Sequence, residues 1–219
     1  MALTKIPIEL SSTPSIVDGG NATAITIDSN EGVAFSKDIS TSTAGTSNFR
    51  AGVNAGNSIT SGGNFNVLVG DEAGTAITTG DNNVAVGYAA LDANTTGTSN
   101  IAVGQSALSN NTTGGSLVAV GNGALLANTT GVYNVGIGYQ SLKSNTTGDK
   151  NVAVGYQSLK SNTTADHNTA FGDQALESNT TGTRMTSVGS RSGMQNTTGN
   201  YNAFVGYDAG ESNTTGESN

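Results

Sequence analysis

Asn134-Val135-Gly136-Ile137-Gly138-Tyr139-Gln140-Ser141-Leu142-Lys143-Ser144-Asn145-Thr146-Thr147-Gly148-Asp149-Lys150 is followed at once by Asn151-Val152-Ala153-Val154-Gly155-Tyr156-Gln157-Ser158-Leu159-Lys160-Ser161-Asn162-Thr163-Thr164-Ala165-Asp166-His167. These are one 17-residue unit written twice. The unit extends both ways. Glycines fall at 70, 87, 104, 121, 138, 155, 172, 189 and 206, and Asn-Thr-Thr begins at 94, 111, 128, 145, 162, 179, 196 and 213 in the same register. Ile77-Thr78-Thr79-Gly80 is the matching turn one unit earlier. A degenerate copy runs from Asn48 through Gly52 and Ala55-Gly56 to Ile59-Thr60-Ser61-Gly62, with Gly63 as one extra residue. The array therefore covers residues 47–219, and residues 1–46 stand outside it.

Each column has its own chemistry. One and three residues before the key Gly stand Val154 and Val152 and their equivalents, almost all β-branched in the middle of the array. Between them lies a small residue: Ala85, Ala102, Ala119, Gly136, Ala153, Ala170. Four residues after the Gly comes Leu91, Leu108, Leu125, Leu142, Leu159 or Leu176. The unit reads as a short strand, a Gly corner, a second segment ending in Leu, and an Asn-Thr-Thr-Gly turn. Seventeen residues are too few for a pair of helices, and they fit one coil of a parallel β-solenoid or β-roll. The fold class is all-β, with about ten coils stacked at roughly 4.8 Å into a rod of roughly 50 Å. One such unit buries too little apolar surface to offset the entropy of fixing its backbone, so only stacked neighbours fold. The two Val columns share a face, and the expectation is that they point into the coil while the Ala column points out. An outward ladder of small apolar residues suits close approach of another chain, so a homotrimeric β-prism is expected.

Composition removes other classes. Only 11% of residues are charged, against about 25% in ordinary domains. The formal net charge of -8 supplies no basic footprint for nucleic acid. There is no cysteine for a disulfide or a thiolate-bound metal. No apolar run is long enough for a membrane-spanning helix. The opening Met-Ala-Leu-Thr-Lys-Ile-Pro-Ile-Glu-Leu lacks a secretory leader pattern.

The strands Asn151-Val152-Ala153-Val154-Gly155 and Asn134-Val135-Gly136-Ile137-Gly138 resemble the head repeats of trimeric autotransporter adhesins of the YadA type. That resemblance covers residues 64–219 and implies a trimeric β-roll. The N-terminal stretch Ile16-Val17-Asp18-Gly19-Gly20-Asn21-Ala22-Thr23-Ala24-Ile25-Thr26-Ile27-Asp28 is similar to the start of phage tail-fibre and appendage proteins, as is the opening Met-Ala-Leu-Thr-Lys-Ile-Pro. This implies a structural virion component assembled in the host cytoplasm. Residues 1–46 would attach to other tail or neck proteins, and the array would form the shaft serving host attachment. The alternative is a bacterial trimeric surface adhesin whose repeats bind the host surface. A β-helical polysaccharide-degrading enzyme ranks third, because the array shows no off-pattern acid or base cluster.

Candidate sites each have a plainer explanation. Asn-Thr-Thr is a formal glycosylation acceptor, but Asn before Thr-Thr-Gly is also a turn, and stacked Asn can form amide ladders. The Thr95-Thr96 column suggests an ice-binding array, which the turn geometry disfavours. Asp71, Glu72, Asp81, Asp92, Asp149, Asp166, Asp173 and Asp208 are spread over several columns and recur in none of them in every coil, so calcium and a paired-carboxylate hydrolase are not assigned. Gly136 and Gly138 lie in a strand, not before a helix, so they make no phosphate loop. His167 is read as an exposed turn residue. Tyr88, Tyr139, Tyr156 and Tyr207 share a column and are read as packing between coils, with host glycan as the alternative partner. No catalytic, cofactor-binding or metal-binding residue and no cofactor are assigned.

Gly74, Gly193 and Gly210 replace Leu near the array's ends, while Met185, Met194 and Phe204 appear off-pattern. These coils are expected to be the weakest, unless a neighbouring chain fills them. Ser218-Asn219 falls where another strand would begin, so the rod is expected to continue or to be capped.

Overall fold

The computed structural model describes residues 45–219; the expected attachment region lies almost wholly outside the described residues. Ten three-residue strands succeed one another, one per coil: β1 Phe49–Ala51, β2 Val67–Val69, β3 Val84–Val86, β4 Ile101–Val103, β5 Val118–Val120, β6 Val135–Ile137, β7 Val152–Val154, β8 Thr169–Phe171, β9 Thr186–Val188 and β10 Ala203–Val205. All pairs are parallel, and the sheet order is the chain order. The architecture is a parallel β-solenoid. Partners are 17 residues apart, as in Val135↔Val152. The exception is Phe49↔Val67, where Gly63 adds one residue at a turn.

The corner after each strand needs glycine for two reasons. Gly87 has φ 135°, and a Cβ there would lie 2.7 Å from the carbonyl oxygen of Gly104 in the next coil. Beyond the corner the backbone twice enters the left-handed region, at Gln157 (φ 54°) and Leu159 (φ 48°) in the seventh coil. It does so again before the next strand, at His167 (φ 61°). The alternation sends successive amides in opposite axial directions. Gln157 N donates to Tyr139 O of the previous coil at 2.9 Å, and Leu159 N donates to Ala175 O of the next at 3.0 Å. Left-handed φ is costly for β-branched side chains, and no Val, Ile or Thr occupies any of these three columns. That is why the inner apolar column is Leu and not Val.

The Leu column is fully buried, as expected. The strand faces are the reverse of the expectation. Ala85, Ala102, Ala119, Ala153 and Ala170 are fully buried in the coil, whereas the flanking columns point outward, with Ile101 41% and Phe171 57% exposed. The cause is size. Each coil is thin, and its Leu spans most of the interior, leaving room for little more than a methyl group from the opposite strand. Protein interiors are close-packed, so the larger Val is displaced to the outer face.

The unusual coils obey the same rule. Where Gly74 replaces Leu, the strand supplies Leu68 in the Ala column, 2.8 Å from where a Gly74 Cβ would sit. Phe204 likewise lies over Gly210 and Gly193, in van der Waals reach of the latter together with Leu176. Arg50 lays its stem over Gly56 and donates from Nη1 to Gly56 O at 2.8 Å. The chain itself therefore fills the spaces left by these glycines, and no partner is needed to do so.

Candidate functional surface

The outer face of the strands is a largely apolar strip, in which Thr169 and Thr186 are the polar members of β8 and β9. Val67, Ile101, Ile137, Phe171, Val188 and Val205 are among its exposed members. Two rims flank it. Five residues before the key Gly stand exposed Phe65, Tyr133, Lys150, His167, Arg184 and Tyr201; one residue after it stand Tyr88, Tyr139, Tyr156, Asp173 and Tyr207. Tyr139 and Tyr156 stack with ring centres 5.4 Å apart and planes 11° from parallel. That contact covers one face of each ring with a neighbouring coil, which fits the packing role. Arg184 lies over the Tyr201 ring at 5.5 Å and donates to its Oη at 3.2 Å.

The Asn-Thr-Thr residues point elsewhere. Asn145 is buried and spends both amide hydrogens, donating to Asn128 Oδ1 and to Gly148 O, each at 3.0 Å. The same ladder runs unbroken from Asn94 to Asn213. These side chains are structural, and a glycan has no access to the buried ones. A second ladder stands before the strands. Asn151 N donates to Asn134 Oδ1 at 2.8 Å, and Asn151 Nδ2 donates to Ala165 O at 2.8 Å. Leu117 and Met185 interrupt this second ladder as fully buried apolar substitutes. The first Thr of each turn donates Oγ1 to the next coil, as Thr146 does to Thr163 O at 3.1 Å. The second Thr of each turn is exposed, while the first is half-exposed in all turns but the last with its hydroxyl engaged along the ladder, so the array presents one free Thr column and not the broad hydroxyl surface that ice would require.

Several carboxylates have structural roles. Asp149 Oδ1 accepts from Val132 N at 2.8 Å, and Asp166 Oδ1 accepts from Asp149 N at 2.7 Å. Asp208 and Glu211 pair with Arg191, and Glu177 pairs with Lys160 at 3.3 Å. Burial pushes the Asp92 carboxyl above its ordinary value, and a hydrogen bond with Thr75 pulls it part of the way back. Among the described residues, no cluster of three or more His, Asp or Glu side chains is placed to hold a metal ion. His167 is exposed, and its backbone N donates to Asp149 O. Among the described residues, no helix is long and apolar enough to cross a membrane.

The fold and this surface define a parallel β-solenoid of 17-residue coils with one apolar outer face. In comparisons with known proteins, no family model, curated protein or solved structure matches this chain.

Proposed function

We propose that the chain is the shaft of a phage tail fibre or appendage. In this reading three parallel copies pack about a common axis, and residues 1–46 join the rod to other virion proteins. The apolar strip on the outer strand face carries the reading. Soluble monomers seldom expose continuous apolar surface beyond a few hundred Å², and a strip along the whole array has no evident use in a single chain. Cyclic association about an axis parallel to the rod would bury the strip in every copy at once. The array holds its regularity through backbone and Asn ladders, which suits a mechanical spacer. The similarity of residues 16–28 to fibre proteins supports the virion placement and lies outside the described residues.

Two measurements test this. Light scattering on the full chain should give a three-chain mass, and a single-chain mass would overturn the trimer. Immunogold labelling should decorate purified particles; label confined to a bacterial outer surface would favour the adhesin reading.

A further inference from the structure

We infer that neighbouring copies meet rim to rim at equal height, the cationic rim of one seated against the aromatic and acidic rim of the next. This rests on the parallel, cyclic association proposed above.

The rims differ in chemistry. The rim before the strands carries Lys150, His167 and Arg184 in three consecutive coils, and no Asp or Glu occupies that column anywhere in the array. The rim after the corners carries Asp71 and Asp173 with four tyrosines, and no Lys or Arg. Rotation about an axis parallel to the rod keeps every coil at its own level, so each residue meets the one six positions later in a neighbouring copy. That pairs His167 with Asp173, an imidazole with a carboxylate. It also pairs Lys150 with Tyr156, whose phenol oxygen can accept from the ammonium, and Tyr133 with Tyr139. No coil sets like charges against each other across the two rims. An antiparallel pair would instead set each rim against its own copy and lose all of these matches. Electrostatic complementarity of this kind fixes register and orientation more than it adds affinity. An apolar strip that repeats every coil cannot choose its own height, so the rims supply what the strip lacks.

The chain has no cysteine, so introduced thiols report only their own contact. The matched double variant His167→Cys/Asp173→Cys, mildly oxidised as the full chain, should give disulfide-linked species of up to three chains. The mismatched variant His167→Cys/Asp71→Cys sets its thiols six coils apart, roughly 29 Å at about 4.8 Å per coil, and should give none. A three-chain mass without matched cross-linking, or with equal cross-linking in both variants, would overturn the rim pairing and leave the trimer standing. Matched cross-linking that stops at two chains, with a two-chain mass, would keep the rim pairing and overturn the trimer. A single-chain mass without cross-links would overturn both.

Discussion

At the scale of single residues, the inner and outer sides of a strand separate cleanly. Ala153 is fully buried, while Val152 and Val154 on either side of it look outward. Ala153→Asp should place a carboxylate without a partner inside the coil, costing several kcal/mol and lowering the melting temperature sharply. Val154→Asp should leave the coil folded and reduce the mass measured by light scattering, because it charges the association face. Equal melting losses in the two variants would contradict this division. Asp149→Asn should stay within about 0.5 kcal/mol, since amide oxygens already do this work elsewhere: Thr183 N donates to Asn200 Oδ1 at 2.8 Å. Asp92 behaves differently. Its carboxyl titrates higher folded than unfolded, so the stability it contributes is present at low pH and lost as pH rises through the folded value. Asp92→Asn should therefore raise the melting temperature at neutral pH and give no gain in acid below the carboxylate range.

At the scale of the coil, the strand residue and the segment opposite it form one packing unit. Coils with Ala in the strand have Leu opposite; those with Leu68, Phe204 or Arg50 have Gly opposite. Leu68→Ala alone should cost about 2–5 kcal/mol through a cavity. Gly74→Leu alone should destabilise by overpacking, because even its Cβ would press on Leu68. The double variant recreates the Ala–Leu pair of the third coil and should recover most of both losses in denaturant titrations. Additive losses would mean that the two positions do not share one space. Much of this was written in the sequence. The period, the strand positions, the buried Leu column and the Asn ladder all follow from spacing alone. The inside and outside of the strand did not, because Val-Ala-Val has no polar member to mark the solvent face. Its orientation depends on the coil's thickness, and that follows from the left-handed Leu opposite, which spacing does not reveal. The candidate surface was hidden for the same reason. In the sequence the glycines read only as lost leucines and weak coils; that Leu68 faces Gly74 and Phe204 faces Gly210 emerges only from the folded coil.

At the scale of the whole array, the filled glycine coils alter where the rod should open. Phe204 is buried over Gly193 and Gly210, and Met185 is buried in the ladder before β9. Amide exchange around β9 should therefore be as slow as around β6. Phe204→Ala should make residues 186–219 exchange first while the middle of the array keeps its protection. Early opening of this end in the unmodified chain would show that Phe204 does not compensate for the missing leucines.

The constant register of the coils also makes the molecule a ruler marked in whole units. Removing residues 151–167 would bring β6 directly beneath β8 and set Asn168 N over Asn134 Oδ1, the bond that Asn151 N makes now at 2.8 Å. The shortened chain should fold and melt close to the parent while losing roughly 4.8 Å of length; a cut of eight residues should unfold it, because no ladder would close. Length can then be inherited separately from fold. The near-identical segments 134–150 and 151–167 are natural substrates for duplication or loss when the gene is copied, so related rods should differ by integer numbers of coils while their ends stay the same.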